Sequence, residues 1–382
     1  MSRGKNASLN FLLALSFLMQ MLSGVVSMAV PIYAAEMNAS PFLIGVIGSV
    51  GGLIYSFTPF ISGTLTDRFG RKTFISTSIF LYGSSCMLYA LAGNPYVLMP
   101  IKALEWFSIA AFWPSIEALL ADISGDKIEE SLRKFNLSWI SGLIIGPMIG
   151  GLLISVIGVK VPFLASSAAS LALAILAIMV LSESPRCEAE RMREEPKISE
   201  GSVSATAAIT SVILFSFIVG VLLNLFPAQA KSLGIPAYEI GLIMLINGVF
   251  RLIAFLEAYR IEAAIGESTT FLIGSLILAS ASALASFSYT TPMFFISFSA
   301  LGFGAGILYA ASISFILKRW SAARGYGAGL FESLIGTGYF AGSLIGGFIS
   351  EYAQNAPYIL SLLLSILSSV IHASNMKKND AK

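Results

Sequence analysis

Charge is scarce in this 382-residue chain, histidine and cysteine are nearly absent, and no polar stretch is long enough to form a separate soluble domain. Asp, Glu, Lys and Arg make up 12% of the residues, against about a quarter in an average soluble domain. A water-soluble core cannot absorb the apolar surface of a chain that is 56% hydrophobic, with a mean hydropathy of +0.83. One histidine, His372, and two cysteines, Cys86 and Cys187, supply no metal-ligand cluster. With no phosphate-binding motif either, a membrane-embedded enzyme is argued against. The cysteines sit in different surroundings, one in an apolar run and one in a charged connector, and give no disulfide framework. Neither a cofactor nor a metal is expected, and a formal charge of +2 implies no nucleic-acid partner.

What the chain has instead is length of hydrophobic run. A bilayer's hydrocarbon is crossed by about 20 apolar residues in a helix, and the sequence offers twelve such runs, from 9–33 to 357–375. These are too long for barrel strands, and in lipid only helices and closed barrels satisfy every backbone polar group. The expected fold is an all-α membrane protein with twelve transmembrane helices. The first run has a basic start but extends past signal-peptide length without a convincing cleavage site, so it reads as a permanent helix. Threading the runs alternately through the membrane puts every Lys and Arg on one side except Lys102, Lys160, Lys231 and Arg251. By the positive-inside rule, both termini are cytoplasmic in a multi-pass protein of the cell membrane.

The chain also repeats itself. A shift of 196 positions superposes Gly24 on Gly220, Gly45 on Gly241, Gly70 on Gly266, Gly142 on Gly338, Gly146 on Gly342 and Gly150 on Gly346, and Pro31 on Pro227. Two duplicated six-helix units are expected, 1–181 and 207–382, joined by a charged connector, 182–206, that reads as a solvated linker. The repeat disfavours a channel. A non-transporting membrane sensor, the alternative from another class, would be expected to append a soluble domain.

Two motifs carry a resemblance. Residues 63–72 read G-x-x-x-D-R-x-G-R-K, and residues 142–151 read G-x-x-x-G-P-x-x-G-G. The first resembles the loop between helices 2 and 3 of the major facilitator superfamily. The second resembles the helix 5 signature of its antiporters, especially drug and proton antiporters. The resemblance covers essentially the whole chain. It implies two pseudo-symmetric six-helix bundles, a substrate site between them near the midplane, and alternating access with helices 1, 4, 7 and 10 lining the cavity. It also implies a gating set of Gly63, Asp67, Arg68, Gly70, Arg71 and Asp122: Asp67 at the positive end of helix 11, and Arg71 paired with Asp122. The competing reading is topology alone, basic residues simply holding the loop inside. The second half has lost this loop, with Tyr259, Ala263 and Glu267 at the places of Gly63, Asp67 and Arg71. Gly142, Gly146, Pro147, Gly150 and Gly151 give helix 5 a bare face and a relaxed hydrogen-bond ladder. Plain tight packing explains them equally, because the sister segment keeps the glycines and has Ser343 in place of the proline.

Ionisable groups inside the runs are the sharpest site candidates, since each is costly unless paired or facing water. Lys102 and Glu105 are three residues apart in the fourth run, on one helix face. Lys102 resembles the family's buried helix 4 basic residue, normally arginine, but Glu105 and Trp106 stand where the motif has glutamine and glycine. Lys102, Trp106, Ile109, Trp113 and Glu117 form a stripe of charge and aromatics unlike a lipid-facing surface. Asn247, Arg251, Phe255 and Tyr259 in the eighth run, and Glu332, Gly336, Tyr339 and Ser343 in the eleventh, step along one face each. Glu332 is the nearer to the inner boundary, a gating pair as readily as a substrate contact. Gln20, Asn136, Asn224 and Tyr309 are read as interhelical hydrogen-bonders or cavity ligands.

The expected function is secondary active transport of a small molecule, as proton-coupled efflux of amphipathic or drug-like compounds. Glu105 carries the proton under tuning by Lys102, and Arg251 is either an anchor for an anionic substrate or a counter-charge for Glu105. The alternative within transport is proton-coupled uptake of a small organic anion or sugar. A static ion pair that only fixes packing is the alternative for the buried charges. The partners expected are the substrate, protons and the lipid bilayer, with the chain a monomer.

Overall fold

The computed structural model describes residues 2–124, 128–181, 205–319 and 324–380, and all regular structure among them is helical. Twelve helices are long and apolar enough to cross a membrane. They are α1 (Ser2–Glu36), α2 (Pro41–Phe69), α3 (Arg71–Leu91), α4 (Leu98–Ser124), α5 (Ile128–Val156) and α6 (Val161–Val180). The second six are α7 (Ala205–Asn224), α8 (Ala237–Ile265), α9 (Glu267–Ser286), α10 (Thr291–Arg319), α11 (Arg324–Ser350) and α12 (Ala356–Asp380). Most are apolar around much of their circumference rather than along one stripe, as helices solvated by lipid on one side and by protein on the other must be.

The expected run 207–229 is not one helix. α7 stops at Asn224, and a separate short helix, Phe226–Ser232, follows with Pro227 in its first turn. Proline lacks the N–H that a continuous helix would need there and its ring collides with the preceding turn, whereas the first turn of a new helix tolerates it. Its repeat partner Pro31 lies inside α1, so the halves differ at this point.

The connections show the duplication again. Gly70, between α2 and α3, has φ 93°, and Gly266, between α8 and α9, has φ 82°. A side chain at either position would be strained, which explains why glycine recurs there 196 residues apart.

The chain divides into two compact units. The first comprises Met1–Asn38, Phe57–Glu190 and Pro236–Leu242, and the second Ala39–Ser56, Arg191–Ile235 and Ile243–Lys382. Within the first, α1 packs along α5, and α3 packs on α4 and α6. Within the second, α7 packs along α11, and α9 packs on α10 and α12. Every principal pairing thus recurs six helices later, and the fold is a pair of pseudo-symmetric six-helix bundles. The opening of α2 groups with the second unit and the opening of α8 with the first.

Candidate functional site

In the first unit, the helical spacing of α4 brings Lys102 and Glu105 together. Their charged atoms are 3.0 Å apart, with the side chains only 2% and 1% exposed. The same carboxylate oxygen, Oε2, accepts a hydrogen bond from the Tyr89 hydroxyl of α3 at 2.8 Å. Tyr89 stacks on Phe163 of α6, ring centroids 5.2 Å apart, and Phe163 also meets Tyr33 of α1 at 5.4 Å. An aromatic wall drawn from three helices therefore fixes the hydroxyl that fixes the carboxylate. The Lys102 ammonium lies 5.6 Å from the Trp106 ring centroid, within cation–π range. Glu105 consequently has two partners of different chemistry, a cation and a neutral donor, and no exposure to speak of.

Further along α4, Trp113 meets Phe112 at 5.1 Å and Phe135 and Trp139 of α5 at 6.1 Å each. Trp139 donates its ring N–H to the exposed Asn136 at 3.1 Å, and Gln20 is half-buried on α1. Tyr89 is the participant that the sequence does not announce. A tyrosine deep in an apolar run needs a partner for its hydroxyl, but which one depends on how α3 packs on α4.

In the second unit, Asn247 and Arg251 stand one turn apart on α8. The Asn247 amide donates to the Phe298 carbonyl of α10 at 2.9 Å, and its oxygen accepts from Arg251 Nη2 at 3.2 Å. Arg251 makes no ion pair among the described residues, and its Nε is buried without a hydrogen-bond partner. Tyr309 and Tyr339 lie within its electrostatic reach. Tyr309 centres an aromatic group, 5.1 Å from Phe331, 5.7 Å from Phe215 and 5.9 Å from Phe255. Glu332 of α11 accepts from the Tyr55 hydroxyl at 2.9 Å. Asn224 donates to Ser343 at 2.9 Å and to the Gly220 carbonyl at 3.2 Å. Ser343, standing where α5 has Pro147, is thus an interhelical hydrogen-bonder joining α7 to α11. Of the two roles expected for Arg251, its own hydrogen bond is with Asn247, while Glu105 is engaged by Lys102 and Tyr89.

Arg71 at the start of α3 forms an ion pair with Asp122 near the end of α4, both partly exposed, and also donates to the Ala118 carbonyl. Gly63, Asp67 and Arg68 fall within α2 but outside the residues whose side chains are described. Cys187 lies outside the described residues altogether, and Cys86 is a buried free thiol. The α5 glycines face α1: a methyl group on Gly146 would come within 2.8 Å of the Gly24 Cα, and one on Gly150 within 2.9 Å of the Val25 carbonyl oxygen. Gly151 and the Pro147 carbonyl instead meet Ala237 and Gly241 at the opening of α8. Among the described residues, no group of three or more His, Cys, Asp or Glu is placed to hold a metal ion.

A family model described as Major Facilitator Superfamily matches residues 12–219 and 207–378. The chain belongs to the Major Facilitator Superfamily. It is accordingly a multi-pass membrane transporter of small molecules and not an enzyme. As a superfamily member it is similar to multidrug resistance protein 1 of Bacillus subtilis (strain 168), at 24% identity over 386 residues, spanning 95% of each chain. Quinolone resistance protein NorA of Staphylococcus aureus (strain MRSA252) is 23% identical over 380 residues, 94% of this chain and 95% of that one. Among solved structures, a variant of the nucleoside transporter NupG superposes with a TM-score of 0.80 at 16% identity, covering 96% of this chain and 99% of that one. That likeness is one of fold. For a superfamily transporter, the buried charges on α4 and α8 are the chemistry from which a substrate reading must be built.

Proposed function

We propose that this transporter is a proton-coupled exporter of amphipathic, drug-like compounds, working by alternating access as a monomer in the cell membrane with both termini in the cytoplasm. Glu105 is the proton-carrying group and Lys102 its tuning partner. The observation that carries this reading is the buried Lys102–Glu105 pair with its Tyr89 donor. A charge inside the bilayer is costly unless paired, so loading a proton on Glu105 strands the Lys102 ammonium and favours any rearrangement that finds it a new partner. Protonation is thereby tied to conformation through two named side chains.

Efflux rather than uptake is supported by the resistance functions for which the multidrug and quinolone relatives are named. It is also supported by the bare α1–α5 seam, where glycines let two backbones approach closely. In this reading residues 1–181 and 207–382 move as bundles joined by 182–206. Trp106, Trp113, Gln20, Asn136, Asn224, Asn247, Arg251, Tyr309 and Tyr339 contribute to substrate passage. Gly63, Asp67, Arg68, Gly70, Arg71, Asp122 and Glu332 form the inner gate, whose paired members are Arg71 and Asp122. A second reading, uptake of a small organic anion, is favoured by one observation, the Arg251 cation with no acidic partner among the described residues.

The test is transport of Nile red, an uncharged amphipathic dye, in proteoliposomes carrying the full chain, with and without an imposed pH gradient. Movement of the dye against the proton gradient, reduced at least about a hundredfold in Glu105→Gln (the lower end of the range for losing a proton-transfer group), is the expected result. Dye movement indifferent to both the gradient and the substitution would leave Glu105 a packing residue and remove the proton from the mechanism.

A further inference from the structure

The structure assigns a specific recognition element to α8: Arg251 and Asn247, with the rings around Tyr309, form a subsite for the carboxylate of an aromatic, amphipathic anion. This rests on the transporter reading only in taking the ligand to be a substrate.

Arg251 lies fourteen residues from each end of α8, Ala237–Ile265, or about 21 Å along the axis in either direction at 1.5 Å per residue. A permanent cation at that depth is expensive unless something neutralises it. Lys102, a basic residue deep within α4, has a carboxylate at 3.0 Å. Arg251 has none among the described residues. The one acid of α11, Glu332, is engaged by the Tyr55 hydroxyl, and Arg251 is left with one neutral hydrogen-bond partner, the Asn247 oxygen. The two cations thus differ in kind: Lys102 carries its counter-ion within the protein, and Arg251 has none among the described residues.

The shape of what is missing follows from the donors left over. Asn247 is oriented by the Phe298 carbonyl, so its oxygen is aimed at Nη2. Nε is shielded from solvent and has no acceptor. The guanidinium edge that includes Nε is a planar fork, and a carboxylate satisfies such a fork through two parallel hydrogen bonds. A cationic ligand would instead face an unneutralised guanidinium.

The rest of the ligand is indicated by the rings. Phe255 is one turn beyond Arg251 on the same helix and 5.9 Å from Tyr309, which in turn lies 5.1 Å from Phe331. Phe331 is almost fully buried, whereas Arg251, Phe255, Tyr309 and Tyr339 are each partly accessible. The accessible layer therefore combines a cation with stackable faces, and the buried ring holds Tyr309 in place behind it. An aryl group suits those faces through offset or edge contacts.

The experiment measures equilibrium binding of tritiated 2-naphthoate to the purified full-length chain in detergent, with displacement by 2-naphthamide and by 2-naphthylmethylammonium. These probes share one aryl body and differ in charge. The carboxylate is expected to bind at least tenfold more tightly than either competitor. Arg251→Gln removes that preference by weakening the carboxylate far more than the amide, and Arg251→Lys retains only part of it, because a lysine keeps the charge but not the fork. Absence of saturable naphthoate binding, equal displacement by all three, or a preference that survives in Arg251→Gln each overturns the subsite. If Arg251→Gln does not fold, the wild-type ranking alone decides. The two readings fail separately. Naphthoate preference without gradient-driven transport in liposomes leaves the subsite standing and removes the transport mechanism. Gradient-driven Nile red movement without naphthoate preference does the reverse.

Discussion

At the scale of single residues, the buried Lys102–Glu105 pair divides a structural role from a functional one. Removing one member of a buried pair strands the other charge and costs about 3–5 kcal/mol, whereas replacing both by neutral side chains of similar size is often close to neutral. Lys102→Met is accordingly expected to lower the thermal melting point in detergent, and Lys102→Met combined with Glu105→Gln to recover most of the loss. If the pair carries the coupling proton, the recovered double variant remains folded and has lost its response to a pH gradient. A double variant that is both stable and fully coupled would confine the pair to packing, and a single variant as stable as the wild type would contradict the burial. The pair is legible in the amino-acid sequence because three residues on a helix is a contact distance. The same logic makes Asn247 and Arg251 legible at a spacing of four. Tyr89 is not, since its bond to Glu105 crosses from α3 to α4, and side-chain partners on different helices are set by packing that periodicity does not encode.

At the scale of elements, the duplication explains what is readable and divergence explains what is not. Glycine recurs at Gly70 and Gly266 because both connections need a backbone that side chains resist. The exchange of Pro147 for Ser343 is a change of joint: a relaxed ladder on α5, a side-chain bond to Asn224 on α11. The junction of α11 with α2 carries no sequence signal, because Glu351 and Phe42 are 309 residues apart. Glu351 follows the last residue of α11, and its carboxylate accepts the Phe42 N–H at 2.8 Å, one of the orphan donors in the first turn of α2. The Ser40 hydroxyl, and after it the Phe42 N–H, hold the Glu351 carboxyl below its ordinary value. A carboxyl depressed on folding contributes stability that is present above its unfolded pKa and disappears as pH falls through the lower folded one. The melting point of the wild type is therefore expected to exceed that of Glu351→Gln at neutral pH by a small margin, since the group is at the surface. The margin closes on acidification below the ordinary glutamate range. A margin that stays constant into strong acid would mean that ionisation of Glu351 is not its source, and the absence of a margin at neutral pH that the neutral amide caps α2 as well as the carboxylate does.

At the scale of the whole molecule, the bilayer imposes so strong a rule on run length that all twelve spans can be read from composition, with the single exception of the break after Asn224. The contact pattern is less accessible. That residues 39–56 group with the second unit, and 236–242 with the first, reflects which backbones the openings of α2 and α8 approach rather than any change in hydropathy. Orientation is a third kind of property, because it depends on which side the basic loops occupy during insertion. An even number of spans puts both termini on one face, and by the clustering of Lys and Arg that face is expected to be the cytoplasmic one. The expectation can be checked by giving a chain that carries Cys86→Ser and Cys187→Ser one cysteine at a time. Asn94, between α3 and α4, and Gln354, between α11 and α12, are exposed, as is Glu130 near the start of α5. Cysteines replacing Asn94 and Gln354 are expected to react with a membrane-impermeant maleimide on intact cells, and one replacing Glu130 only after permeabilisation. The inverse pattern would invert the molecule. The Arg71–Asp122 pair, assigned to the inner gate because of its basic surroundings, would then stand at the outer face, and the direction of transport would have to be argued again from the opposite side.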